Sequence, residues 1–115
     1  MAQHLISSRR TIKRNLTLSH STNVEVEALS RMKQTNRSEV VRAAIIVAGG
    51  SITPAELHQR KVDIAGLPCF CMSVMLGPRI AETIRARAFA LNTTASAFVD
   101  ACCHRYVQAW NLKPG

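Results

Sequence analysis

The sequence predicts a mainly α-helical protein with one two-stranded antiparallel ribbon, ordered β-α-α, linker helix, β-α-α within a single chain. Three observations predict it. Two short stretches alternate apolar and polar residues, Lys13-Arg14-Asn15-Leu16-Thr17-Leu18 and Met72-Ser73-Val74-Met75-Leu76. Each is followed by two stretches whose apolar residues recur at helical spacing. One ungapped offset of 58 residues superposes the two sets, as an internal repeat would.

The bulk properties agree. A chain of 115 residues is one domain's worth. Its hydrophobic content of 47% is enough for an interior, but only 4% is aromatic. The core must therefore be built from Ala, Val, Ile, Leu and Met, which suits close-packed helices. A net charge of +8, from 15 basic against 7 acidic residues, calls for a polyanionic partner, nucleic acid before an anionic membrane surface. No apolar run approaches a membrane span. Met1 to Arg14 has no continuous apolar segment before its arginines, so no secretory leader is expected, and a cytoplasmic location is.

Residues 1–12 read as a flexible basic arm. Ser7-Ser8-Arg9-Arg10 lacks periodicity, and Arg9, Arg10 and Arg14 could track a phosphate backbone. Residues 13–115 read as a single domain of two repeats, 13–48 and 71–108, joined by a connector, 49–70. In the first strand Leu16 and Leu18 face inward, so the two-residue period turns Lys13, Asn15 and Thr17 outward. A strand of this length needs a partner. Cys71 to Leu76 supplies it, with Cys71, Ser73 and Met75 outward.

Ser19 or Ser21 can cap the next helix, expected over about 22–34. Thr22, Val26, Leu29 and Lys33 form its stripe, flanked by Val24 and Met32. Glu25, Glu27 and Arg31 take the wet side, with acids near the start as the helix dipole prefers. Asn36 followed by Glu39 resembles a capping box and opens a helix over about 37–48. Val40, Val41, Ala44, Ile45, Val47 and Ala48 make that helix apolar on most sides, so it is expected in the centre of the fold. Gly49-Gly50 stops it.

In the connector, Thr53-Pro54-Ala55-Glu56 combines a Thr cap with Pro at the first helical position, predicting a short helix over about 54–61. Gly66 and Pro68 then end any regular structure before the next strand. After the second strand, Gly77-Pro78 opens a helix with Ile80, Ile84, Ala88 and Leu91 at helical spacing, and Asn92 is a candidate left-handed stop. Thr94 then caps a last helix patterned by Phe98, Val99, Cys102, Tyr106 and Val107. Trp110 and Tyr106 are expected to pack that helix. With Ser38 set over Ser96, Leu16 falls on Val74, Val26 on Ile84, Asn36 on Thr94 and Val40 on Phe98. Leu29 against Arg87 is the clearest mismatch.

Strand, capped helix, short turn and a helix opening on Asn36-Arg37-Ser38-Glu39-Val40-Val41-Arg42 resembles the ribbon-helix-helix family of DNA-binding proteins. The resemblance covers 13–48 well and 71–108 fairly well. It implies a pseudo-two-fold tandem ribbon-helix-helix in one chain, hence a monomer. Its ribbon would enter the major groove, where base edges carry a distinguishable donor and acceptor code. Lys13, Asn15, Thr17, Cys71, Ser73 and Met75 would then face bases. The helix starts Asn36-Arg37-Ser38 and Thr94-Ala95-Ser96 would each meet a phosphate. The second strand departs from the family's polar pattern, since Cys71, Ser73 and Met75 are weak hydrogen-bonding partners for bases, and two unlike strands suit a non-palindromic site. With the lead-in Ser7-Ser8-Arg9-Arg10-Thr11-Ile12-Lys13-Arg14, the tandem form is similar to accessory factors of T-DNA processing. That similarity implies double-stranded DNA at a T-DNA border or overdrive region as target and the relaxase as a protein partner.

The same residues bear on other functional classes. His4, His20, His58 and His104 are scattered and no Ser, His and Asp converge on a nucleophile pattern, so no enzyme is expected. Cys69, Cys71, Cys102 and Cys103 lack the spacing of a zinc knuckle, so reduced thiols are expected, with no metal and no cofactor. A plasmid-encoded repressor or antitoxin of the same fold is the nearest alternative function, and a protein-interaction module is another.

Overall fold

The structure, a computed structural model, describes residues 12–111. Its elements run β1 (Ile12–Ser19), α1 (His20–Met32), α2 (Arg37–Ala48), α3 (Pro54–Asp63), β2 (Cys69–Leu76), α4 (Pro78–Ala90) and α5 (Ala95–Asn111). The described residues thus form five helices and a two-stranded antiparallel sheet. Arg9 and Arg10, with the rest of the expected basic arm up to residue 11, lie outside the described residues.

β1 and β2 pair antiparallel, with Lys13 opposite Met75, Asn15 opposite Ser73 and Thr17 opposite Cys71. Alternation decides the faces. Leu16, Leu18, Met72, Val74 and Leu76 are buried, while Lys13, Asn15, Thr17, Cys71, Ser73 and Met75 are exposed. Each buried aliphatic side chain stabilises by about 1.5–3 kcal/mol, which holds the ribbon flat on the helices. Those five meet Val26, Val40, Val41, Ile45, Ile84, Phe98 and Val99 in one core.

The helices begin where hydroxyl and amide side chains can take orphan N–H groups. Ser19 accepts from the N–H of Thr22, Asn36 from that of Glu39, Thr53 from that of Glu56, and Thr94 from that of Ala97. Gly77 precedes α4 without a side-chain cap, and Pro78 opens it. The α1–α2 and α4–α5 turns each bend through a left-handed residue, Gln34 at φ 56° and Asn92 at φ 54°, which sit 58 positions apart. Each turn also closes the same way, Thr35 N–H to Ser30 C=O at 2.8 Å and Thr93 N–H to Ala88 C=O at 2.9 Å.

Several expectations are corrected. The ladder carries β2 back to Cys69, because Ser19 and Leu18 offer Cys69 and Phe70 partners. The cap at Ser19 starts α1 at His20, and the left-handed Gln34 ends it at Met32. Glu25 and Glu27 therefore lie beyond its first turn, where the helix dipole lends them little. Glu25 is also not on a wet face: it is half-buried against α5, with its Oε1 3.6 Å from His104 Nδ1. Lys33 is not buried in the stripe; its Nζ donates to the Tyr106 hydroxyl at 2.9 Å and lies 4.9 Å from the Trp110 ring centroid. α2 has the expected bounds, but Ile46 and Val47 are 69% and 67% exposed. Four-residue spacing puts Val40, Val41, Ala44, Ile45 and Ala48 on the core side and leaves those two outside. α3 runs two residues past its expected end, and Gly66 at φ +80° lies in the turn that follows.

Candidate nucleic-acid interface

Lys13, Asn15, Thr17, Cys71, Ser73 and Met75 lie on the outer face of the ribbon, with the exposed Cys69 beyond Cys71. At its centre the Ser73 hydroxyl donates to Asn15 Oδ1 at 2.7 Å. That bond engages the carbonyl oxygen of the Asn15 amide, whose nitrogen carries two further N–H donors of the kind that meet acceptors on base edges. Lys13 stands beside Met75 at one end, and Thr17 beside Cys71 toward the other.

Both strands are edges, since the sheet has only two. Edge strands leave N–H groups without a ladder partner. Here serines at helix starts take two of them. Thr17 N–H donates to Ser96 Oγ at 2.9 Å, and Met75 N–H donates to Ser38 Oγ at 2.9 Å. The two bonds match at the 58-residue offset, and each joins a strand of one half to a helix of the other. A hydroxyl that accepts in this way still has its own proton to donate, so Ser38 and Ser96 keep a donor for an anion.

The start of α2 lies beside the Lys13 end of the ribbon. A recess of about 440 Å³ there is lined by Asn36, Arg37, Ser38, Arg42, Ser73 and Met75. The Asn36 side chain takes the Glu39 N–H, which leaves the N–H groups of Arg37 and Ser38 without an intrahelical acceptor. Arg37 Nε is 3.6 Å from Glu27 Oε1, in a pair whose side chains are 49% and 43% exposed. Such a surface pair is worth little and leaves Arg37 able to exchange partners. Arg42 reaches over the recess, bonded to the Met75 carbonyl and 2.8 Å from Glu39. Arg42 is absent from the sequence-derived site, although it falls one helical turn after Ser38 within the quoted motif and so shares its face.

The start of α5 is different. Thr94 caps it and Ser96 meets β1, but Ala95 brings no charge. Arg14, expected at phosphate, is half-buried and alternates with Lys13 onto the helix side of the ribbon. It does not share the outer face.

Cys69 and Cys71 are exposed, Cys102 and Cys103 are buried, and all four are free thiols. Burial pushes the Cys102 thiol up to about 12 and that of Cys103 well above its ordinary range. Among the described residues no group of three or more His, Cys, Asp or Glu could hold a metal ion, and no helix is long and apolar enough to cross a membrane.

Sequence and structure comparisons return no match, either to a family model, to a curated protein or to a solved structure.

Proposed function

We propose that the chain binds double-stranded DNA as a tandem ribbon-helix-helix protein, laying the outer face of β1 and β2 in the major groove. The observation that carries the reading is the single outward face holding Lys13, Asn15 and Thr17 with Cys71, Ser73 and Met75, bordered by the basic recess at Asn36, Arg37 and Ser38. A major groove about 12 Å wide admits a two-stranded ribbon. Lys13 and the outward amide of Asn15 do most of the base reading. Thr17 packs on or bonds to a base edge, and the second strand, with a thiol, a hydroxyl and a thioether, contributes less. Arg37 and the donors of Ser38 and Ser96 hold phosphates, with Asn36, Thr94 and Ala95 shaping the helix starts that present them. Both ribbon strands come from one chain, so the active unit is a monomer and its site is non-palindromic.

The biological role rests on resemblance. The tandem plan and the lead-in through Arg14 are similar to the overdrive-binding accessory protein of the virulence C operon of agrobacterial Ti plasmids. We therefore place the target at a T-DNA border or overdrive region and the chain's task in promoting border processing by the relaxase.

The ribbon is tested by replacing Lys13 and Asn15 with Ala together. Each good contact to a base edge contributes about 1–3 kcal/mol, so affinity for a duplex carrying border and overdrive sequence should fall at least about tenfold, with the unfolding midpoint unchanged. Unaltered affinity would remove the ribbon from the interface. Footprinting on the same DNA against a mixed-sequence duplex tests the target separately.

A further inference from the structure

The 58-residue correspondence breaks down at the two helix starts. Arg37 and Arg42 line the recess at α2. Their counterparts at α5 are Ala95 and Asp100. Asp100 is 2% exposed and holds Arg60, with Nη2 to Oδ1 at 2.9 Å. A duplex seated on the ribbon has a phosphate strand on each side of its groove. On the α5 side the repeat itself offers hydroxyls and no positive side chain.

The linker helix packs beside the turn that leads into that helix start. α3 and the turn between α4 and α5 enclose a cleft of about 120 Å³ whose lining includes His58, Lys61, Asn92 and Thr93. His58 and Lys61 are exposed on α3 at three-residue spacing, so they share a face. The Thr93 Oγ1 atom is buried and has no hydrogen-bond partner among the described residues. α3 is fixed to α5 by two ion pairs, Arg60 with Asp100 and Glu56 with Arg105, so Lys61 stands on an anchored element. The turn is anchored as well. Three residues after Thr93, Ser96 Oγ accepts the Thr17 N–H of the ribbon, and three peptide units reach at most about 11 Å.

We infer that this cleft is a second phosphate site for the DNA backbone, in which Lys61 and His58 of the linker helix supply what the second repeat's own helix start lacks. The inference rests on the DNA-binding reading above. The ammonium of Lys61 is a compact charge on a flexible stem and tolerates a range of phosphate positions. His58 and Asn92 add N–H donors at the same cleft. The linker then has a binding role besides joining the repeats, and the chain meets the two DNA strands by different chemistry, guanidinium on one side and ammonium with imidazole on the other.

The test is the salt dependence of binding to a mixed-sequence duplex several helical turns long, followed by fluorescence anisotropy. Each phosphate neutralised contributes about 0.9 to the slope of log K against log salt. Lys61→Ala should flatten the wild-type slope by about 0.9 and weaken binding alike on every sequence, while Lys61→Arg keeps the slope. If Lys61→Ala leaves the slope unchanged while Arg37→Ala flattens it, the cleft is not a phosphate site and the ribbon reading stands. A loss of affinity at unchanged slope overturns the cleft equally, because it marks a structural effect. A wild-type chain that fails to bind the duplex, or binds it with no salt dependence, overturns both.

Discussion

Asp100 spends both carboxylate oxygens inside the protein. Oδ2 accepts the Ser19 N–H at 2.9 Å, and Oδ1 accepts from Arg60 Nη2 at 2.9 Å and Nε at 3.3 Å. Arg60 also donates to Thr22 Oγ1, which in turn accepts from the Ser19 hydroxyl. Four elements or their caps thus meet on two charges. Removing one charge leaves the other buried and uncompensated, so Asp100→Ala should cost about 3–5 kcal/mol in urea unfolding. Replacing Arg60 and Asp100 together by apolar residues of similar size should cost clearly less, because no orphan charge remains. A double variant as unstable as Asp100→Ala would show that the network's neutral bonds matter more than its charges. Glu56 makes a milder pair. The Arg105 guanidinium bonded to it holds its carboxyl below 4.5, against burial, which pulls it up. A lowered folded pKa adds stability that is complete above 4.5 and disappears as the pH falls through the folded value. Glu56→Gln should therefore lose about 1 kcal/mol at neutral pH, and its melting curve should converge on the wild type in acid.

At the scale of elements, the parts legible in the sequence are those set by local rules. The two-residue alternation at Leu16 and Leu18 assigns the ribbon's faces, and the caps at Asn36, Thr53 and Thr94 lie where hydroxyl or amide precedes a helical pattern. The left-handed stop at Asn92 follows from its tolerance of that conformation, whereas Gln34 adopts the same φ with no such signature. What was not legible depends on distant contacts. Ser38 and Ser96 read as phosphate ligands, yet each first serves an edge N–H on the strand of the other half. Arg87 interrupts the repeat because its guanidinium donates to the carbonyls of Gly49 and Ile52, a task that exists only where the connector passes. Val47 reads as part of the apolar face, yet it is exposed, because composition cannot say which flank of a mostly apolar helix is covered. Asp100 and Arg60, 40 positions apart, carry no local signal of the ion pair they make. The candidate site follows the same division: the outward ribbon residues come from periodicity, while the role inferred for Lys61 comes only from the packing of α3 on the α4–α5 turn.

At the scale of the whole molecule, the bonds from Thr17 to Ser96 and from Met75 to Ser38 tie each strand to the other half's helix. β1 and β2 pair only with each other, and their inner faces join one core with α2 and α5. Neither half keeps a covered ribbon if the other opens, so the chain should unfold in one cooperative step. Its four thiols report on that step without any added label. Cys69 and Cys71 are exposed and should react with a small aromatic disulfide within the mixing time at neutral pH. Cys102, pushed up to about 12 by burial, and the fully enclosed Cys103 present almost no thiolate and no path for the reagent. Two thiols should therefore titrate at once and two only on unfolding. The slow pair should appear at the same urea concentration as the loss of helical circular dichroism. If Cys102 and Cys103 react at a lower urea concentration, α5 leaves the core before the ribbon separates, and the two halves are not the interlocked unit that their crossed serine bonds require.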